Sequence, residues 1–324
     1  MSPPVHIPPQ PAANPGQPHW HILGAGAMGC LWASIMQQHA PSQRTTLILR
    51  DRQAVTDYPG AIELQQADGS MLRTRFPATC PDELIVTGTG IDNLLVTCKA
   101  ADVVSGLSLL KSNLAPSTRI VLLQNGLRTH LQARELLPDF SLYAISLKHG
   151  AWLRRAYRAV HAGIGECWLG ALTSRARKDP GIVDHLPSRT MNIHWQAQIL
   201  PRLWRKFAIN CAINGLTVIY DCRNGQLLDR RDAQQHLRSV CAEIENLLTN
   251  LPQAYPAPDL LAEVTQVLQL TAANISSTLQ DVRRGRQTEI AEFNGYLCEL
   301  AESVGLPCPL NRSIFEQVTA QLSC

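Results

Sequence analysis

The run Leu203-Trp-Arg-Lys-Phe-Ala-Ile-Asn-Cys-Ala-Ile-Asn-Gly215 places Lys206, Asn210 and Asn214 four residues apart. On a helix, side chains at that spacing share one face. Leu203, Phe207, Ile209, Cys211 and Ile213 make most of the remaining circumference apolar, which is the pattern of a buried helix. A lysine and two carboxamides buried without partners would each cost about 1–3 kcal/mol in unmet hydrogen bonds. The stripe is therefore expected to line a wet cleft, with a closed polar network as the alternative. Lysine is also rare here. Of 29 basic residues only five are lysines: Lys99, Lys111, Lys148, Lys178 and Lys206. Arginine is a poor proton donor or acceptor, so any chemistry that needs an amine acid must draw on these five. Lys111 falls in an expected surface helix, Lys178 in an Arg-rich loop and Lys148 at the end of a sheet-edge strand. Lys99 follows a strand. Lys206 alone sits on a largely apolar helix.

A second polar group lies in Asn274-Ile-Ser-Ser277-Thr-Leu-Gln-Asp281, where Asn274, Ser277 and Asp281 are expected on one helix face. Gly285 should end that helix, and Thr288-Glu289 should open the next. Two plainer roles stand beside the chemical ones. A carboxylate in a first helical turn, such as Glu289, is favoured by the helix dipole, and Asp281 can pair with Arg284 or Arg286.

A third group can hold an anion. His21-Ile-Leu-Gly-Ala-Gly-Ala-Met-Gly29 is a short apolar strand followed by GxGxxG, and Cys30–His39 reads as a helix. In that order Gly24 permits the tight turn, Gly26 lets a pyrophosphate approach the backbone, and Gly29 lets helix and strand pack closely. The helix N-terminus then faces the phosphates. The next strand, Thr45–Leu49, ends in Arg50-Asp51-Arg52. An NAD site favours an acid about 20 residues beyond the glycines, whereas cations there suit the 2′-phosphate of NADP. Arg50 thus points to NADP, and Asp51 is the counter-argument.

The elements that must position these groups fall into two halves. Apolar strands Asn93–Thr97 and Arg119–Leu123 end in Cys98-Lys99 and Gln124-Asn125-Gly126. Ligands of open α/β sheets gather at such carboxyl ends, although each of these residues could equally be a turn residue. Asp68-Gly69 marks a hairpin between Ile62–Leu64 and Met71–Thr74. Short alternating stretches within 142–170 read as the far edge of the sheet. From Ile199 the texture becomes helical, with long helices expected over 199–216, 232–250, 259–282 and 287–304. The expected fold is α/β: a Rossmann-type dinucleotide-binding domain over 19–197, then an all-α domain over 198–324. Residues 1–18 carry seven prolines and are read as a flexible leader without the cationic and apolar regions of a secretory signal.

The composition agrees with an ordinary globular chain. The 324 residues are 45% hydrophobic and 17% charged, with net charge +3, too small for a protein built around a nucleic-acid backbone. No apolar run reaches the roughly 18 residues of a membrane-spanning helix. The ten cysteines include no CxxC pair, which fits reduced thiols in a cytoplasm and argues against zinc. His19-Trp-His21 is expected to be a strand-edge histidine pair rather than a metal site.

The chain resembles the ketopantoate reductases from about His21 to Phe315. The glycine loop is shared with many dehydrogenases. More specific are Val96-Thr-Cys-Lys99-Ala and Gln124-Asn125-Gly126. Most specific are the Lys206/Asn210/Asn214 helix, the Asn274–Asp281 segment, Thr288-Glu289-Ile and Asn294-Gly295. The resemblance implies reduction of 2-dehydropantoate by NADPH, on the route to pantothenate and coenzyme A. It implies Lys206 as general acid and Glu289 as an essential partner in the substrate site. Asn210, Asn214 and Ser277 would bind substrate hydroxyl and carboxylate groups, with Asn125 and Lys99 near nicotinamide and substrate. Cofactor contacts would come from Gly24, Ala25, Gly26, Ala27, Met28, Gly29, Arg50, Lys99, Asn125 and Glu289, with Arg50 on the 2′-phosphate.

Two departures from the family pattern stand out. Gly215 occupies a position where many members carry proline, and Ala144–Gly150 follows the usual strand only loosely, which could alter a pocket wall. The alternatives are a reductase of other 2-oxo acids, a non-catalytic NADP-binding protein, and a sugar- or glycerol-phosphate dehydrogenase using Arg283, Arg284 and Arg286. The chain is expected to act in the cytoplasm as a monomer or homodimer, with a small-molecule substrate and no nucleic-acid or membrane partner.

Overall fold

The structure, a computed structural model, describes residues 19–322 except Pro256. The expected leader over 1–18 lies outside the described residues. The chain divides into two compact units. The first holds the described residues up to Gln124 together with Thr129–Ile199; the second holds Asn125–Arg128 and the chain from Leu200 onward.

In chain order the first unit runs β1 Trp20–Leu23, α1 Ala27–His39, β2 Thr45–Ile48, α2 Arg52–Thr56, β3 Ala61–Gln65, β4 Met71–Arg75, β5 Ala78–Thr79, α3 Pro81–Thr87, β6 Ile91–Val96, α4 Ala100–Leu110, β7 Leu114–Leu122, α5 Arg128–Leu136, β8 Ser141–Leu147, β9 Gly150–Arg155, β10 Arg158–Gly163, β11 Cys167–Ala171 and β12 Ile193–Trp195. Arg128, the first residue of α5, groups with the second unit. An eight-stranded sheet has the order β12-β11-β8-β7-β6-β1-β2-β5. It is parallel except where β11 meets β8. Strand order reverses at β1, which lies between β2 and β6; a ligand crevice forms at such a switch point.

A separate four-stranded sheet, β4-β3-β10-β9, contains the Asp68-Gly69 hairpin, with Gly69 at φ +88°. The apolar face of α1 (Cys30, Leu31, Trp32, Ile35, Met36) is buried in one core with Ile62 and Leu64 of β3 and Leu47 of β2. The stretch read as a far sheet edge is therefore divided between the two sheets, with Gly150–Arg155 an edge strand of the small one. Residues 141–147 and 167–171 are interior strands of the large sheet, and 158–163 belongs to the small one. Lys148 consequently follows an interior strand. Lys111 is exposed at the C-cap of α4, where the helix runs on into a 3₁₀ turn, Lys111–Asn113.

The second unit is helical: α6 Ile199–Ile219, α7 Arg231–Asn250, α8 Leu260–Leu270, α9 Ser277–Arg283, α10 Asn294–Ser303 and α11 Pro309–Ala320. The helix expected over 259–282 is broken at 271–276. There the Ala272 and Asn274 carbonyls accept from the amides of Gly225 and Asn224, so the backbone is paired outward instead of along a helix. The Ser276 hydroxyl then caps α9 through Leu279 N at 3.1 Å. The helix expected from 287 begins only at Asn294, after a 3₁₀ turn at Ile290–Glu292. Gly215 is a packing requirement: a Cβ there would lie 2.1 Å from Ile314 Cγ2 of α11. No described helix is long and apolar enough to cross a membrane.

Candidate active site

The glycine loop forms where β1 ends. Gly24 has φ +97°, open to glycine and strained for other residues, and a Cβ on it would press the Cys98 backbone at 2.9 Å. A Cβ on Gly29 would sit 2.1 Å from the Gly24 carbonyl oxygen. Gly26 has open space where a Cβ would be. It also occupies the N-cap of α1, where no side chain caps the helix and no acid sits in the first turn. The helix starts at Ala27, three residues before the expected Cys30, so Ala27 and Met28 supply its first free amides. The result is an uncapped N-terminus of a 13-residue helix, with its partial positive charge facing open space.

Beside it is a groove of about 560 Å³ lined by Gly24, Ala25, Arg50, Cys98, Lys99 and Tyr157 among others, within the usual range for a ligand site. Lys99 is exposed at the N-cap of α4. Gln124 is a brace: its Nε2 donates to the carbonyls of Val96 (2.9 Å) and Cys98 (3.1 Å), tying the ends of β6 and β7 together.

Arg50 and Asp51 interact with each other. Asp51 Oδ1 accepts from Ala54 N at 2.8 Å, capping α2, and its Oδ2 accepts from Arg50 Nε at 2.8 Å. The carboxylate is thereby committed to protein donors. The Arg50 side chain is 88% exposed at the groove. The open Gly26 position and the uncapped helix fit the pyrophosphate of a dinucleotide.

The helical unit holds the second group. Lys206 Nζ donates to Asn125 Oδ1 at 3.2 Å, and Asn125 Nδ2 donates to Glu289 Oε2 at 3.4 Å. The neighbours fix the amide's orientation, because an ammonium can only donate and a carboxylate can only accept. Three residues far apart in the chain thus form one bridge. Burial pushes the Glu289 carboxyl above its ordinary range and the Asp281 charge adds to this, while the Asn125 amide and the Lys206 ammonium oppose it. Asn210 and Asn214 extend along the same face of α6, Asn210 half-buried and Asn214 buried. Neither carboxamide has a hydrogen-bond partner among the described residues.

Ser277 is exposed at the first turn of α9. Asn274 is exposed in the turn before α9, so it does not share a helix face with Ser277 and Asp281 as expected. Ser276, overlooked in the sequence, is the buried serine and bonds Thr217 Oγ1 of α6 at 2.6 Å; its signal was the Ser-x-x-Leu start of a helix. Arg283, offered as part of a phosphate pocket, pairs with Asp221 at 2.7 Å. His149, in the loosely matching stretch, is buried against His161 at 3.0 Å. No group of three or more metal-ligating side chains occurs among the described residues.

Comparison with known proteins adds the family. Residues 20–174 match the family described as Ketopantoate reductase PanE/ApbA, and residues 198–321 match Ketopantoate reductase PanE/ApbA C terminal. The 2-dehydropantoate 2-reductase of Escherichia coli O157:H7 is 32% identical over 297 residues, covering 92% of this chain and 93% of the relative. The chain belongs to the ketopantoate reductase family. A second member, from Vibrio cholerae serotype O1, is 30% identical over 92% of this chain and 95% of its own. Among solved structures, a PanE/ApbA family ketopantoate reductase from Ralstonia eutropha JMP134 aligns with TM-score 0.78 and 23% identity, over 94% of this chain and 98% of that one. D-mandelate dehydrogenase, solved with NADH and anilino(oxo)acetate, aligns with TM-score 0.82 and 20% identity over the same shares. Both share the fold. This chain has an open glycine loop in its first unit and a lysine–amide–carboxylate bridge in its second.

Proposed function

We propose that this chain is an NADPH-dependent 2-dehydropantoate 2-reductase acting in the cytoplasm, with Lys206 as the general acid. The observation that carries the reading is the Lys206–Asn125–Glu289 bridge in a chain 30–32% identical to enzymes of that name. When bound, reduced nicotinamide supplies a hydride for the ketone carbon. Negative charge then grows on the ketone oxygen. The Lys206 ammonium stabilises that charge and delivers its proton to the oxygen, giving the secondary alcohol. Such positioned acid catalysis is worth about 10²–10⁴ in rate. Asn125 holds the ammonium with its carbonyl while its amide group leans on Glu289, and Glu289 keeps a counter-charge near the lysine.

Asn210 and Asn214 offer carboxamides that recognise hydroxyl and carboxylate oxygens without adding charge. Ser277 adds a hydroxyl, and Lys99 a cation at the groove. The loop Gly24–Gly29 holds the pyrophosphate, and Arg50 takes the 2′-phosphate. Asp51 supports that choice by being engaged with Ala54 and Arg50.

The test is a steady-state panel of 2-dehydropantoate against other 2-oxo acids, with NADPH and NADH, for the wild type and Arg50→Ala. The expected result is the highest kcat/KM for 2-dehydropantoate with NADPH, and a KM for NADPH raised about tenfold in Arg50→Ala with NADH kinetics unchanged. A better 2-oxo acid substrate would move the assignment to a related reductase. Equal losses with both cofactors would remove Arg50 from the 2′-phosphate.

A further inference from the structure

Asn125 is the centre of the bridge, yet it lies in a short connection between β7 and α5, immediately before Gly126. Something must hold it. The segment Asn125–Arg128 packs with the helical unit. Gly126, at φ +86°, brings the backbone so close that a Cβ would stand 3.4 Å from the Glu292 Cβ and carbonyl oxygen. Three residues beyond Asn125, the Arg128 side chain is only 23% exposed. Its Nη2 donates to Glu299 Oε1 at 2.6 Å, its guanidinium lies 4.8 Å over the Tyr296 ring, and its Nε stands 4.0 Å from Glu292 Oε2.

We propose that Arg128 is a positioning residue that clamps Asn125 onto the lysine–carboxylate bridge. Its three partners come from residues 292–299, directly after Glu289. The clamp therefore fastens the segment that carries Asn125 to the segment that carries Glu289, across the same gap that the 3.4 Å Asn125–Glu289 bond spans. A charge-assisted contact and a cation–π contact to neighbouring residues hold a rigid planar group better than either alone. Arg128 Nε and Glu292 Oε2 are buried and make no hydrogen bond. An approach of about 1 Å would bring them to bonding distance, so the clamp can tighten further. Arg128 touches neither of the bridge's end groups; its effect passes through Asn125.

The proposal rests on reading the bridge as the reductase's acid, and a double-mutant cycle tests it. Arg128→Met keeps the side-chain stem and loses the charge. It should lower kcat at least tenfold while leaving the NADPH Kd, read by nucleotide fluorescence, within twofold of wild type. Asn125→Ala should lower kcat as well, and the double variant should be no slower than Asn125→Ala within twofold, because both changes break one linkage. Multiplied effects in the double variant would overturn the proposal, as would a full kcat in Arg128→Met. Arg128→Lys should recover part of the loss. Glu299→Gln, at the exposed end of the clamp, should show a smaller loss of the same kind and serves if Arg128→Met does not fold. Hydrogen exchange of amides 124–130 gives a readout independent of turnover and should be at least fivefold faster in Arg128→Met. A wild type inert on every 2-oxo acid would sink the proposed function, and the exchange result would still decide the clamp.

Discussion

The two candidate sites are built on opposite plans. The glycine loop of the first unit works through what is missing: no Cβ at Gly26, no room for one at Gly29, no side-chain cap on α1. Its binding groups are backbone amides, fixed by a turn between β1 and α1. The bridge of the second unit works through what is present: an ammonium, an amide and a carboxylate, brought together from positions 81 and 164 residues apart. A site of the first kind is broken by adding an atom. A site of the second kind is broken by removing one.

The sharpest break follows from the second plan. Lys206→Ala should lower kcat at least a hundredfold, the lower part of the range for a positioned general acid, while the NADPH Kd stays within twofold. Near-normal turnover would end the assignment of the acid. The first plan predicts the reverse split. Gly29→Ala adds a Cβ 2.1 Å from the Gly24 oxygen, so the loop must move. NADPH affinity should fall at least tenfold, measured by titration, with a smaller fall in kcat at saturating cofactor. Unchanged affinity would mean that the turn can relax, and the contrast between the sites would blur.

The smallest effect concerns stability. Burial raises the Glu289 carboxyl pKa in the native state, so the folded protein holds that proton more tightly than the unfolded chain. The unfolded chain therefore releases the proton at lower pH, and this group's contribution to stability declines as pH rises from the ordinary carboxylate range through the raised value. Glu289→Gln removes that decline. It should raise Tm by a few degrees at neutral pH and by little near pH 4, while lowering activity. A lower Tm at neutral pH would mean that the ionised form is held more favourably than its burial implies.

The same difference in plan explains what was legible in the sequence. The loop is local: strand, glycines and helix occupy Trp20–His39, and the order of residue types specifies the geometry. The face of α6 was legible too, because a period of 3.6 is visible along one helix. What brings Asn125 to Lys206 is tertiary, and no spacing along the chain encodes it; Arg128 was invisible for the same reason. The break at 271–276 was missed because Thr-Ala-Ala-Asn-Ile-Ser contains neither glycine nor proline. The backbone leaves the helix there to pair with Asn224 and Gly225, a demand set by distant chain. The Lys148 strand was misplaced because an interior antiparallel partner, β11, cannot be told from solvent by alternation alone.

Gly215 has a consequence for how the sequence can change. It lies on α6 one residue after Asn214. With Ile314 Cγ2 only 2.1 Å from where its Cβ would be, residues 215 and 314 share a single allotment of volume. Neither can grow unless the other shrinks. Substitution at the two sites is thus expected as a correlated exchange, with a larger residue at 215 accompanied by a smaller or displaced residue on α11. What looks like a gap in a motif is half of a steric pair, and its other half lies 99 positions downstream.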